Sequence, residues 1–341
     1  MITDYIFKAV SGQNLTVTEA ENAMDTIISG DATDIQIGAF ITAMSAKGTN
    51  PEEIAAFSSA MMRSAVKISP DVCGTAVDTC GTGGDGLNTF NISTASAIVT
   101  AGAGIPVVKH GNRSVSSSCG SADVLEELGV NINADVKTVE LSLNKAGIGF
   151  LYAKKHHPAM RHAGRAREEL GMRSFFNILG PISNPASAGA RLLGVYDPKL
   201  TVKIAEVLHI LGVKDAMVVH GSGLDEITTT GKTKISLFKS RGKIETYYIT
   251  PENFGLKRAA MSDLKGGDPS YNAKVITGIL EGKTGPRRDI VLLNSAAAIY
   301  LGGGAGSIEE GIEMAEISID SKEAARTLMK LKDITTAKGG I

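Results

Sequence analysis

A chain of 341 residues has room for two domains at the usual ~150 residues each and needs no disulfide or metal to hold a core. Its 35 Lys and Arg face 36 Asp and Glu, a net charge of −1, which removes the basic footprint of a nucleic-acid or anionic-membrane binder. The three cysteines, Cys73, Cys80 and Cys119, make no C-x-x-C pair; with no apolar run of membrane-spanning or signal-peptide length, a soluble cytoplasmic protein with reduced thiols is expected.

The first 65 residues read as helices. Thr16 or Thr18, each followed three residues on by Glu, caps one in which Ala20, Ala23, Met24, Ile27 and Ile28 recur at helical spacing until Gly30. A second uses Ile37, Phe40, Ile41 and Met44 and stops at Gly48; a third opens with Asn50 as cap and Pro51 in its first turn. Together they predict a small all-helical domain over 1–69, whose surplus apolar faces are available to a second subunit.

Beyond Pro70, β-branched runs alternate with helical patterns. Strands are predicted at 76–79, 105–108, 148–152, 191–195 and 216–219, with helices at 94–101, 122–128, 199–211 and 272–280. This alternation predicts an α/β domain over 70–157 and 186–341 with a mostly parallel central sheet flanked by helices. The stretch 158–185 reads as mostly helical and is expected to rejoin the amino-terminal helices. Ligands of such sheets sit beyond the carboxyl ends of the strands.

The loop after the first strand, Cys80-Gly81-Thr82-Gly83-Gly84-Asp85-Gly86, formally matches G-x-G-x-x-G. The dinucleotide reading fails, because no helix opens at once and no acid follows about 20 residues on. In fact no acid occurs between Asp85 and Asp123. That stretch holds Asn91-Ile92-Ser93-Thr94 where a helix begins, then Lys109-His110-Gly111-Asn112-Arg113 and a serine-rich run ahead of a helix capped by Ser121. Each loop alone could be mere turn and cap chemistry; the pair on neighbouring strand ends points to a ligand with two phosphate groups. Asp225-Glu226, on a loop after another strand, supply the hard oxygens that Mg²⁺ takes one or two of while keeping water and phosphate. Arg161, Arg165, Arg167 and Arg173 read singly as a solvated helix face. His156, His157 and His162 lack zinc-site spacing, and no hydrolase triad or Walker lysine is present.

In these segments the chain resembles the anthranilate phosphoribosyltransferases of tryptophan biosynthesis. Asp78 to Asp85, Asn91 to Thr94, Lys109 to Arg113, Gly120 to Glu126, His157 to Met160, Arg173 to Asn184 and Gly223 to Glu226 run in the family's order and span nearly the whole chain. The resemblance implies a homodimer of two-domain subunits that transfers the phosphoribosyl group of phosphoribosyl diphosphate to the amine of anthranilate, with Mg²⁺, two ions per subunit. It implies that Gly81, Gly84, Asp85, Thr89, Asn91, Ile92, Ser93, Thr94, Lys109, His110, Gly111, Asn112, Arg113, Ser114, Val115, Ser116, Ser117 and Ser121 hold phosphoribosyl diphosphate. Ser93, Asp225 and Glu226 would meet the metal; Gly81, His110, Asn112, Arg167 and Pro181 would serve anthranilate. Lys109 and His110 are the expected electrostatic contributors, with no obligatory nucleophile and no assignable general base. Many relatives carry Ala, Gly or Lys within 114–118, which leaves the contacts of Ser114 and Ser117 open. Two rivals on the same fold are a pyrimidine nucleoside phosphorylase, which needs one phosphate and no diphosphate metal, and a non-enzymatic nucleic-acid binder. Whether a glutamine amidotransferase associates is left open by the sequence.

Overall fold

The computed structural model describes residues 1–69, 71–114 and 118–337. Four helices come first: α1 (Ile2–Val10), α2 (Val17–Ser29), α3 (Asp34–Lys47) and α4 (Pro51–Arg63). Thr16 caps α2 reciprocally with Glu19: the Glu19 N–H reaches the Thr16 hydroxyl at 3.3 Å, and the Thr16 N–H reaches the Glu19 carboxylate at 2.8 Å. Asn50 caps α4 through the Glu53 N–H at 2.7 Å, with Pro51 in the first turn, and α2 ends in the left-handed Gly30.

The chain then alternates: β1 (Val77–Gly81), α5 (Ile92–Gly102), β2 (Val107–Gly111), α6 (Ser121–Glu127), α7 (Val136–Ala146), β3 (Ile148–Tyr152), α8 (Ala153–His156), α9 (Gly164–Leu170), α10 (Phe176–Ile182), β4 (Ala190–Gly194), α11 (Leu200–Ile210) and β5 (Asp215–Gly221). Two further strands, β6 (Thr233–Phe238) and β7 (Glu245–Ile249), precede α12 (Pro269–Leu280), α13 (Pro286–Leu301), α14 (Ile308–Asp320) and α15 (Glu323–Thr336). The sheet order is β3-β2-β1-β4-β5-β6-β7; the first five strands are parallel and the last two antiparallel. Strand order reverses between β1 and β4, which makes their carboxyl ends the crevice where such sheets take ligands.

Several expected limits shift, three of them at the site. The strand expected to stop at Val108 runs on to Gly111, so Lys109 and His110 are sheet residues, not loop residues. The first strand likewise extends to Gly81. Ser121 is the first residue of α6 rather than its cap; Gly120 takes that place, and Gly120 and Ser114 both donate their N–H to Asp123.

One core lies on the α5 and α13 side of the sheet, and a second joins α1 to α4 with the other side. Residues 158–182 run back to the amino-terminal helices, where the Phe175 ring sits 4.6 Å from that of Phe57 and 6.0 Å from that of Phe40. No helix among the described residues is long and apolar enough to cross a membrane.

Candidate active site

The carboxyl ends of β1, β4 and β5 all finish in glycine, and the turn carrying Asp225 and Glu226 lies across them. A Cβ on Gly194 would stand 1.6 Å from the Asp225 carbonyl oxygen, and one on Gly81 would stand 2.2 Å from its carboxylate. Only hydrogen at those two positions leaves the turn room to approach the sheet. The turn is held in place by His220 at the end of β5. Its Nδ1–H donates to the Val195 carbonyl at 2.8 Å, which leaves Nε2 to accept the Gly223 N–H at 3.2 Å. Leu224 and Gly221 exchange backbone bonds across the turn.

From there Asp225 accepts the Gly83 N–H at 2.7 Å and Glu226 accepts the Ser93 N–H at 3.1 Å, in the first turn of α5. The positive end of that helix thus faces a carboxylate of the chain itself. Lys109, 3% exposed, projects from β2 into the same space and donates to the Thr79 carbonyl at 2.6 Å and the Ser93 hydroxyl at 3.3 Å. Burial draws the Lys109 pKa down, while the charges of Asp78, Glu226 and Asp225 act the other way. Burial pushes Asp225 up to about 6, reinforced by Asp85, and pushes Glu226 well above the carboxylate range, reinforced by Asp225.

These crowded, desolvated carboxylates fit a hard divalent cation, whose charge would relieve their repulsion. Among the described residues no group of three or more His, Cys, Asp or Glu forms a complete metal cage. Mg²⁺ takes one or two protein carboxylates and completes its shell with water and phosphate.

The glycine loop after β1 carries Gly83, Gly84 and Gly86 at positive φ, and the Gly84 carbonyl accepts from Arg173, whose guanidinium lies 4.7 Å over the Tyr196 ring. Asp85 accepts the Leu87 N–H at 3.1 Å, and Thr89 bridges to Lys265. Asn91 offers no side-chain cap to α5; its amide donates to the Cys119 carbonyl at 3.0 Å and accepts from Asn272 at 2.9 Å. Ile92 is buried in the core, so only its backbone faces the site, and the buried Thr94 hydroxyl has no hydrogen-bond partner among the described residues.

In the second loop the Asn112 carboxamide oxygen accepts the Arg113 N–H at 2.8 Å, and the Asn112 carbonyl accepts from Ser121 at 3.3 Å. Arg113 turns toward α6, pairing with Asp123 and Glu126 at 2.8 Å each. The Tyr152 side chain, at the end of β3, is a further hydrogen-bond partner of Arg113. Gly111 has no room for a Cβ, which would meet the Ser121 hydroxyl at 2.2 Å. Val115, Ser116 and Ser117 lie outside the described residues.

On the other side of the strand ends stands α10. His110 is 5% exposed, and its Nδ1–H donates to the Gly180 carbonyl at 3.1 Å; its Nε2 has no partner among the described residues. Burial, with His157 5.2 Å away, holds the imidazole well below its usual pKa, so His110 is neutral near pH 7. The Pro181 carbonyl accepts from Arg191 at 3.2 Å and from the Cys80 thiol at 3.5 Å. Arg167 on α9 lies 5.1 Å over the Phe176 ring at the start of α10, half-buried, with no carboxylate paired to it among the described residues. Here is a cation with its stem packed and its counter-charge missing.

Three supporting features were not singled out from the sequence: His220, the buried pair of Arg191 with Asp78, and Asn272. A histidine at a strand's end gives a weak signal for the first; the others depend on contacts between distant segments.

The fold and this site define a glycosyl transferase. The chain matches the helical bundle domain of the glycosyl transferase family over residues 3–65 and its a/b domain over 73–325. It is 57% identical to the anthranilate phosphoribosyltransferase of Methanocorpusculum labreanum over 100% of this chain and 99% of that one, and 51% identical to that of Acetivibrio thermocellus over 99% and 97%. The crystal structure of anthranilate phosphoribosyltransferase from Thermus thermophilus superposes with a TM-score of 0.92 at 40% identity, covering 97% of this chain and 99% of that one. The Saccharomyces cerevisiae enzyme in complex with PRPP and Mg superposes with a TM-score of 0.90 at 30% identity, over 99% and 98%. Within that class the chain belongs to the anthranilate phosphoribosyltransferase family.

Proposed function

We propose that the chain transfers the 5-phosphoribosyl group of phosphoribosyl diphosphate to the amine of anthranilate, giving N-(5-phosphoribosyl)anthranilate and diphosphate, in tryptophan biosynthesis. The observation that carries this reading is the buried Lys109 ammonium beside the first turn of α5 and the Asp225–Glu226 turn, all at the β1/β4 switch point. The relatives' shared name and the relative's complex with PRPP and Mg support it.

In this reading the anthranilate nitrogen lone pair forms the bond to ribose C1, the C1–O bond breaks, and its electrons leave with diphosphate. An aryl amine is already a neutral nucleophile at pH 7, so the protein's task is the departing anion. Lys109 is buried and held by two hydrogen bonds before reaction, where its charge acts strongly on the departing diphosphate; those backbone N–H groups of the Gly81–Asp85 and Asn91–Thr94 stretches that are not bonded to Asp225, Glu226 or the chain's own carbonyls add to it. Asp225, Glu226 and Ser93 would hold Mg²⁺, two ions per subunit, which would supply further positive charge to the diphosphate. Arg167 receives the anthranilate carboxylate, and His110, Asn112, Gly81 and Pro181 flank the path of the amine toward C1. Holding both substrates converts a bimolecular encounter into a nearly unimolecular one.

The proposal includes the division into a helical unit, 1–69 with 158–185, and an α/β unit, 70–157 with 186–341, the site lying between them. It also includes a cytoplasmic homodimer, supported by Phe7, Val10 and Ile35, exposed on α1 and α3 at 72%, 70% and 84%. The test is anthranilate fluorescence on adding phosphoribosyl diphosphate and Mg²⁺. Its loss is expected; no change under any divalent metal overturns the reading.

A further inference from the structure

Between β7 and α13 the chain returns to the site along an unexpected path. Residues 264–267 lie flush against 88–90: the Phe90 N–H donates to the Leu264 carbonyl at 3.1 Å, the Gly266 N–H donates to the Asn88 carbonyl at 2.8 Å, and Thr89 bridges to Lys265. A Cβ on Gly266 would stand 2.6 Å from the Thr89 carbonyl oxygen, so the two backbones are in direct contact.

Asn272, on the first turns of α12 and fully buried, extends this contact by side chain. Its carbonyl oxygen accepts the Gly267 N–H at 2.9 Å, and its amide donates to the Asn91 carboxamide oxygen at 2.9 Å. Asn91 then donates to the Cys119 carbonyl at 3.0 Å, directly before Gly120 and the loop that Asp123 organises. One line of hydrogen bonds therefore runs from α12 through the start of α5 to the second anion loop.

An aliphatic side chain could fill the volume of Asn272, but it would leave the half-buried Gly267 N–H and Asn91 oxygen without these partners. Asn91 in turn uses both ends of its amide, so its orientation is fixed by what it touches. The geometry points to Asn272 as a positioning residue that holds the start of α5 and the Cys119–Gly120 end of the second anion loop in register for the diphosphate. It touches no substrate; it acts through Asn91 and through its own contact with the Cys119 thiol. This inference rests on the proposed function and assigns a part to the carboxy-terminal third, where the sequence motifs are thin.

The test compares Asn272→Ala, Asn91→Ala and the double variant in the full chain, with Asn272→Ser as a second probe where Asn272→Ala does not fold. Expected is a KM for phosphoribosyl diphosphate raised roughly tenfold, the size of a lost buried hydrogen-bond pair, with the KM for anthranilate unchanged. The double variant is expected to be no worse than the poorer single one. Amide exchange is expected to quicken at 91–95 and 118–122 while α14 stays protected. Equal rises in both KM values, additive losses, or exchange that is unchanged or quickened evenly across the molecule would overturn the inference. If the unaltered protein transfers nothing, the proposed function fails, and the exchange comparison alone then decides the coupling.

Discussion

Arg167 and the Asp225–Glu226 pair present opposite electrostatic problems. The arginine is partly desolvated, its guanidinium lies over the Phe176 ring and no acid is paired to it among the described residues, so a carboxylate ligand would find a cation without a counter-charge. A charge-assisted hydrogen bond is worth about 1.5–3 kcal/mol. Arg167→Ala is therefore expected to raise the KM for anthranilate about tenfold or more and to leave that for phosphoribosyl diphosphate almost untouched; steady-state titration of each substrate checks it, and equal losses refute it. The acidic pair crowds two buried carboxylates beside the single charge of Lys109. Converting both to amides is expected to move the Mg²⁺ concentration for half-maximal rate upward, and an unchanged metal titration would reject their role.

At the level of elements, the strand-end glycines decide whether the acidic turn can exist. Gly194→Ala drives a methyl group into the Asp225 backbone, an overpacking that costs about 1–3 kcal/mol or more, so melting temperature and activity should fall together. Gly12→Ala, where nothing lies within 4 Å, is expected to cost only about 1 kcal/mol for its left-handed backbone and to leave activity intact. Circular dichroism melts with parallel assays separate the two. The same contrast between near and distant neighbours explains what the sequence revealed. The caps at Thr16 and Asn50 were legible because their partners lie three residues away. The helix α13 was not, since Ile290 to Ile299 are buried all round and leave no period to read. Strands β6 and β7 escaped because one breaks alternation and the other is mostly exposed. The two anion loops and the acidic turn stood out by composition. That Arg113 turns to α6, or that Asn272 reaches Asn91, depends on segments the chain brings together only when folded.

For the whole molecule, the raised carboxyl pKa values tie stability to pH and metal. Asp225 binds its proton at about 6 when folded and near 3.8 when unfolded, so across that interval the folded state holds more protons, and stability falls as pH rises. Below both values the carboxyl is neutral in either state and the penalty vanishes; above both it is present in full. In chelator, the melting temperature is expected to gain from Asp225 on going from pH 7.5 to pH 5; added Mg²⁺ should raise it more at pH 7.5 than at pH 5, because the ion competes with the proton. An equal Mg²⁺ shift at both pH values would refute the link. The backbone contact between 264–267 and 88–90 has a consequence in time as well as space. On a ribosome, the candidate ligand residues through Glu226 are all made before Leu264 emerges, yet the backbone at 88–90 lacks its partner segment until then. The site is thus assembled late, and a nascent or truncated chain ending near residue 260 would own its binding residues without the wall that sets them in place.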